Sequence, residues 1–330
     1  MRIAIIGAGA VGGYAGAKLA LAGEEVTFIA RGRNLAALRQ DGMKLVLADG
    51  TEQVARDVRA TDDYVAAGPQ DVVILAMKAH QVDAVARDVP HLLGPDTAVV
   101  TMQNGIPFWY FANHGGALAG TRLASVDPTG EASAHIPAER VIGCVVYPAS
   151  ELIAPGVVRH IEGDRFPLGE LDGTTSARVT RVADAFGRAG FKSPVLADIR
   201  AEIWLKLWGN LTFNPLSALS RATLVDICRF PPTRQLAAAM MTEAQAVANK
   251  LGVTFRVSID KRIAGAEAVG KHKTSMLQDV EAGRDPELDA LVGSVIELGR
   301  LTGTPTPHID GVYALTRLLA LGLADARAAA

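Results

Sequence analysis

A short apolar run, Ile3-Ala4-Ile5-Ile6 after Arg2, leads directly into Gly7-Ala8-Gly9-Ala10-Val11-Gly12, then into a helical pattern over 14–22 and a second β-branched run, Glu25–Ile29. No other stretch of the 330 residues restricts the fold so tightly. An apolar run without polar alternation reads as a buried strand, and the whole forms a βαβ unit. The glycines do separate work in that setting. Gly7 permits a tight turn, Gly9 lets backbone approach a pyrophosphate, and Gly12 lets helix and strand pack closely. The helix start adds N–H groups and a positive dipole, which suit phosphate. A dinucleotide site is therefore predicted at Gly7, Ala8, Gly9, Ala10, Val11 and Gly12.

The end of the second strand selects the cofactor. NAD sites usually carry Asp or Glu there, accepting from the ribose hydroxyls. This strand ends Ile29-Ala30-Arg31-Gly32-Arg33, with no carboxylate. Arg31 offers a charge-assisted hydrogen bond to a 2′-phosphate, so NADP(H) is expected. Two further buried strands, Asp71–Leu75 and Thr97–Thr101, run into Ala76-Met77-Lys78 and Gln103-Asn104-Gly105. Ligands sit beyond the carboxyl ends of parallel strands, which places Lys78 and Asn104 near the cofactor.

Between these landmarks a helix is expected near 34–41, strands over 43–47 and 53–58, and a helix over 80–88. Residues 109–140 begin Trp109-Tyr110-Phe111 and continue poor in periodicity, as a long functional or mobile loop would. Strands over 141–147, 157–161 and 165–169 read as an antiparallel extension of the sheet. A helix over 176–189 and a short strand over 192–195 follow. From Asp198 on, strands give way to six segments of helical spacing, over 198–219, 222–229, 231–251, 256–267, 285–301 and 308–321. The expected fold is an α/β, Rossmann-type dinucleotide-binding domain over 1–197 and an all-α substrate domain over 198–330, with the substrate site in the cleft between them.

Composition removes several function classes. A net charge of −2 recruits neither nucleic acid nor an anionic membrane. Two cysteines, Cys144 and Cys228, make no disulfide framework, and the seven histidines show no metal-ligand spacing. No apolar run reaches the roughly 18 residues of a membrane span. A cytoplasmic protein is expected.

The second informative stretch is Arg200-Ala-Glu-Ile-Trp-Leu-Lys206-Leu-Trp-Gly-Asn210-Leu-Thr-Phe-Asn214-Pro215. A spacing of four advances only about 40° around a helix, so Lys206, Asn210 and Asn214 share a face. Burying them without partners would cost on the order of 1–3 kcal/mol for each amide, and more for the ammonium. A polar ligand in a cleft would satisfy all three; a solvated helix edge is the plainer alternative.

Taken in order, these motifs resemble those of the 2-dehydropantoate 2-reductase (ketopantoate reductase) family, nearly end to end. The resemblance rests on Gly7-x-Gly-x-x-Gly12, Lys78, Gln103-Asn104-Gly105, the Lys206-x-x-x-Asn210-x-x-x-Asn214 helix, Ser275-Met-Leu-Gln-Asp279 and Glu287-x-Asp289. It implies NADPH-dependent reduction of 2-dehydropantoate to (R)-pantoate, a step of pantothenate synthesis. Lys206 would be the general acid, assisted by Glu287 beside the nicotinamide ribose. Asn104, Asn210, Asn214 and Ser275 match substrate-binding positions, and Asn104, Lys78 and Glu287 also match cofactor-binding ones. Read without the resemblance, Ser275 is a helix cap and Glu287 a first-turn carboxylate.

Two departures bear on substrate choice. The segment between Asn104 and Gly143 is longer than the minimal family pattern and starts with three rings, which are expected over the cleft. Leu224, ten residues after Asn214, stands where some members carry a substrate-facing asparagine. A related reductase of a bulkier 2-oxo acid, of the D-2-hydroxyacid dehydrogenase type, is the alternative; a non-catalytic NADP(H) sensor is a third. The expected partner is a small 2-oxo acid, and an exposed apolar helical surface would support a homodimer.

Overall fold

The computed structural model describes residues 1–328, so the last two residues of the expected 198–330 domain lie outside it. The chain divides into two compact units: Met1–Gln103 with Pro107–Ile199, and Asn104–Ile106 with Arg200–Ala330. The first unit holds β1 (Arg2–Ile6), α1 (Ala10–Leu21), β2 (Glu25–Ile29), α2 (Gly32–Asp41), β3 (Met43–Val46), β4 (Glu52–Ala55), β5 (Val58–Thr61) and α3 (Tyr64–Ala67). It continues with β6 (Gln70–Leu75), β7 (Leu93–Thr101), α4 (Glu131–His135), β8 (Val141–Cys144), β9 (Ala149–Ala154), β10 (Val157–Glu162), β11 (Leu168–Glu170) and α5 (Ala177–Arg188). The second is helical: α6 (Ile199–Ser220), α7 (Leu224–Arg229), α8 (Pro231–Lys250), α9 (Ile259–Ala268), α10 (Ser275–Glu281), a π turn at Asp289–Gly293, α11 (Ser294–Thr302) and α12 (Pro307–Ala328).

The main sheet runs β11-β8-β7-β6-β1-β2-β5, parallel throughout except for β11. The chain leaves β1 toward β2 on one side and returns through β6 and β7 on the other. The turn after β1 therefore lies at the point where strand order reverses, the position that binds ligands in such sheets. Ile3, Ala4, Ile5 and Ile6 are all buried, as an apolar strand covered on both faces requires.

A second sheet, β4-β3-β10-β9, packs on the other side of α1. Glycines make that sandwich possible. A Cβ on Gly16 would lie 2.5 Å from Phe28 Cε1 in the main sheet, and one on Gly13 would lie 2.7 Å from Val158 Cγ2 in the second. Tyr14 stacks on His160 at 4.4 Å, and burial, with Asp164 adding to it, pushes its hydroxyl up to about 12.

The strands over 157–161 thus correct one expectation. They do not extend the main sheet, because β10 buries a single face and pairs parallel with β3. Likewise β8 joins the main sheet in parallel, and only β11 is antiparallel. The strand expected over 53–58 divides into β4 and β5, one in each sheet. The helix expected over 80–88 is two short 3₁₀ turns, Ala79–Gln81 and Ala86–Leu92, the second containing Pro90. Lys192 and Val195 make only isolated bridges, to Arg165 and Leu168. The helix expected over 256–267 begins at Ile259 and runs to Ala268, and the spacing over 285–301 becomes α11 only after the π turn.

The three rings at the start of 109–140 are core, not a cover. Trp109, Tyr110 and Phe111 are 3%, 0% and 1% exposed. Trp109 Nε1 donates to Thr101 Oγ1 at 2.9 Å, and its ring fills the space a side chain at Gly143 would need. Further along, the fully buried Asp127 accepts from the Ala132 and Ser133 N–H groups and from Ser133 Oγ (3.1, 3.2 and 2.6 Å), fixing the start of α4.

Candidate active site

The glycine turn has the shape a dinucleotide needs. Gly7 takes φ +100°, a left-handed value that favours glycine. A Cβ on Gly12 would sit 2.1 Å from the Gly7 carbonyl oxygen, so α1 packs as close as glycine allows. A Cβ on Gly9 would meet nothing within 4 Å: that backbone faces open space at the start of α1, where no side chain caps the helix. An uncapped N-terminus opening onto space that only glycine leaves free fits a pyrophosphate. Ala8, Ala10 and Val11 complete the turn. Arg31 lies at the end of β2 as the N-cap residue of α2, with its side chain exposed, and Lys78 is half-buried past the end of β6.

Asn34 is a functional candidate that the sequence reading missed. Its Nδ2 donates to the Ala8 carbonyl at 2.7 Å while its Oδ1 accepts from Gly156 N at 2.7 Å. One amide thus braces the glycine turn against the β9–β10 hairpin. Its sequence signal, an asparagine in the first turn of the helix after Arg31, has no meaning until the second sheet is in place.

In the helical unit, α6 buries Ile203, Trp204, Leu207, Trp208 and Leu211 and leaves Lys206 and Asn210 half-buried; Asn214 is buried. Lys206 Nζ donates to Asn104 Oδ1 at 2.6 Å, and Asn104 Nδ2 donates to Glu287 Oε2 at 3.4 Å. One amide therefore bridges the ammonium and the carboxylate. Each of its ends points the way its charged partner demands, oxygen to cation and nitrogen to anion.

Asn104 reaches this position because Asn104–Ile106 belongs to the helical unit although its chain neighbours do not. A single cut near residue 197 therefore needs amending by three residues. Gly105 adopts φ +87°, and a Cβ there would come 2.1 Å from the Ala290 carbonyl oxygen. That oxygen accepts from Ile106 N at 3.0 Å and from Ser294 Oγ at 2.7 Å. The π turn thus offers an anchor for the Asn104 segment; such turns recur at functional sites. Asp289, its first residue, accepts from Tyr313 Oη at 2.6 Å and pairs with Arg317 at 3.1 Å. Burial, then Asp289 itself, pushes the Tyr313 hydroxyl up to about 12.

Glu287 precedes this turn, half-buried, so it is not the first-turn helix carboxylate its position after Pro286 suggests. The cap of α10 is Thr274, whose hydroxyl accepts from Leu277 N; Ser275 is the exposed first helical residue, freed from capping. Leu224 opens α7, half-buried, with its N–H on the His272 carbonyl at 3.1 Å, which ties it to the segment just before Ser275. Among the described residues no cluster of metal-ligand type occurs, and no helix is long and apolar enough to cross a membrane.

Comparison with known proteins agrees over both units. Residues 3–173 match the family model described as ketopantoate reductase PanE/ApbA, and residues 198–320 match the model for its C-terminal part. A 2-dehydropantoate 2-reductase from Mesorhizobium japonicum is 54% identical, over 97% of this chain and 98% of its own. A crystal structure from Ralstonia solanacearum, assigned to the ketopantoate reductases, superposes with TM-score 0.93 at 44% identity, covering 97% of this chain and 98% of the other. A D-mandelate dehydrogenase solved with NADH and anilino(oxo)acetate shares the fold (TM-score 0.83, 23% identity, 98% and 99% covered). From its glycine turn to its helical unit, the chain belongs to the ketopantoate reductase family.

Proposed function

We propose that the protein reduces 2-dehydropantoate to (R)-pantoate with NADPH, in pantothenate synthesis, and that Lys206 is the general acid. The observation that carries this reading is the chain Lys206–Asn104–Glu287, with the ammonium 2.6 Å from the amide oxygen. Gly7–Gly12, Arg31 and Lys78, joined by Asn104 and Glu287, hold NADP(H): the glycine turn takes the pyrophosphate, and Arg31 the 2′-phosphate. Asn104, Asn210, Asn214 and Ser275 hold the substrate. Residues 1–197 serve as the cofactor domain and 198–330 as the substrate domain.

The bound dihydronicotinamide supplies a hydride to the ketone carbon. Negative charge then builds on the ketone oxygen, where Lys206 both stabilises it and delivers the proton. Asn104 turns its oxygen toward the ammonium, keeping the proton donor aimed. Glu287 holds the other end of that amide and fixes its orientation.

The test is NADPH oxidation with 2-dehydropantoate beside a panel of bulkier 2-oxo acids. The highest kcat/KM for 2-dehydropantoate supports the assignment; preference for an aromatic 2-oxo acid would move the protein to a D-2-hydroxyacid dehydrogenase role with the same general acid. Burial of Trp109, Tyr110 and Phe111 removes one reason for that alternative, and Leu224 remains the other. NADPH binding without turnover of any 2-oxo acid would leave a sensor.

The same reading places the enzyme in the cytoplasm, where Cys144 and Cys228, both buried and free of disulfide, stay reduced. It also gives α12 a role. Leu315, Leu318 and Leu321 are 59%, 67% and 54% exposed, an apolar surface suited to a homodimer, which the sedimentation mass would reveal.

A further inference from the structure

Tyr313 of α12 reaches both ends of the π turn. Its Oη donates to Asp289 Oδ1, on the first residue of the turn, over 2.6 Å. Its ring lies against Gly293, the last residue: a Cβ added there would come 3.3 Å from Tyr313 Cε2 and 3.4 Å from Asp289 Oδ1. An O–H···O⁻ bond this short is of the stronger, charge-assisted kind. Burial, then Asp289, pushes the phenol up to about 12, so the donor persists through neutral and mildly alkaline pH. Arg317 also meets Asp289, at 3.1 Å, but its side chain is 53% exposed, and exposed ion pairs contribute little.

Asp289 is where the helix changes register. In an α-helix the Ser294 N–H would bond the Ala290 carbonyl, four residues back. Here it points to the Asp289 carbonyl, five back. Ala290 O is left to two other donors, Ser294 Oγ at 2.7 Å and Ile106 N at 3.0 Å. A carbonyl oxygen has two lone pairs. In the α register Ser294 would fill both, with its N–H and its hydroxyl, and Ile106 would be displaced. The register therefore decides whether the Asn104 segment is held. Asp289 alone supplies both the carbonyl that takes the shifted N–H and the carboxylate that Tyr313 grips.

We propose that Tyr313 is a positioning residue for the reduction: its grip on Asp289 keeps the π register, which leaves Ala290 O to Ile106 and so seats Asn104 against Lys206. This rests on the proposed function, in which Lys206 protonates the ketone oxygen. The path is short and lies within the helical unit. It runs from Tyr313 Oη to Asp289, from Ala290 O to Ile106 N, and from Asn104 Oδ1, two residues earlier, to Lys206 Nζ at 2.6 Å. Helical turns of this register are rare, and Tyr313 supplies the reason for this one to persist.

The experiment pairs hydrogen exchange, followed by mass spectrometry without substrate, with steady-state kinetics on a 2-oxo acid that the wild type reduces. Tyr313→Phe keeps the ring and removes the donor. The Ile106 amide is expected to exchange about tenfold faster as its local protection is lost. Turnover, kcat, is expected to fall roughly tenfold, as for a slightly misplaced catalytic group, with KM for NADPH unchanged. Unchanged exchange at Ile106, or faster exchange with kcat intact, would overturn the proposal; so would a lower melting temperature as the sole effect. Arg317→Ala, which removes only the exposed ion pair, is expected to alter neither exchange nor kcat, and effects equal to those of Tyr313→Phe would overturn the role of the phenol. Should Tyr313→Phe fail to fold, Asp289 decides: Asp289→Asn keeps an oxygen for the phenol and should retain kcat where Asp289→Ala loses it, whereas equal losses would overturn the proposal. A wild type that reduces no 2-oxo acid, or a Lys206→Ala variant with near-normal kcat, refutes the proposed function instead; exchange at Ile106 then still decides whether Tyr313 holds the register.

Discussion

Lys206 Nζ donates to the Asn104 amide oxygen at 2.6 Å, a contact that would aim its proton in the proposed role of general acid. Lys206→Ala is expected to lower kcat by roughly 10²–10⁴, as for loss of a positioned general acid, with NADPH affinity by fluorescence titration near normal; a near-normal kcat would remove Lys206 from that role. A second residue-scale prediction concerns acid stability. Burial raises the pKa of Glu24, but the N-terminal ammonium and Arg188, both bonded to it, outweigh burial and hold it below its ordinary 4.5. A carboxylate lowered in the folded state stabilises fully above its unfolded pKa, and that contribution disappears as pH falls through the folded value. Glu24→Gln should therefore destabilise by roughly 1–3 kcal/mol at neutral pH, and the gap from wild type in urea titrations should narrow below about pH 4.5. A gap independent of pH would show that Glu24 acts by packing alone.

At the level of elements, what the sequence made legible was what is local. β1, the glycine turn, α1 and β2 lie within 30 residues, and their pattern of apolar and glycine positions is enough. The pairing of β3 with β10 joins Lys44 to Val157, and two short half-exposed strands announce no such distant partner. Helical spacing over 285–301 hid the π turn, because one inserted residue barely disturbs the apolar rhythm. The rings of 109–111 were misread because aromatics at a loop start look the same whether they point inward or out. Their burial predicts that Trp109→Ala costs roughly 3–5 kcal/mol, measured by denaturant unfolding, while relative kcat/KM across a 2-oxo acid panel stays constant; a changed preference would restore the cover over the site. Gly105→Ala should act oppositely. Its Cβ would strike the Ala290 carbonyl, dislodging the Asn104 segment from the π turn. A kcat loss of roughly tenfold or more, the scale of a misplaced positioning group, is expected with little change in melting temperature. An unchanged kcat would mean the segment anchors elsewhere.

For the molecule as a whole, the proposed cofactor site would link ligand binding to the folding of the first unit. Anything that binds the folded state alone stabilises it, by about 2.7 kcal/mol at 100 times its dissociation constant. NADPH should raise the melting temperature more than NADH at equal concentration, and Arg31→Ala should erase that difference; equal shifts from both cofactors in the wild type would contradict the assignment of the 2′-phosphate. The division into an α/β unit and a helical unit was legible in the change from alternating strands and helices to helices alone. The contact between Asn104 and Lys206 was not, since 102 residues separate them and no periodicity reports it. The loan of Asn104–Ile106 to the helical unit also limits how such genes can recombine. A hybrid made from two parent reductases by one exchange near residue 200 inherits Lys206 from one parent and the amide it donates to from the other. Only a double exchange, carrying the three-residue segment along with the distant helices, would keep the pair from a single ancestor.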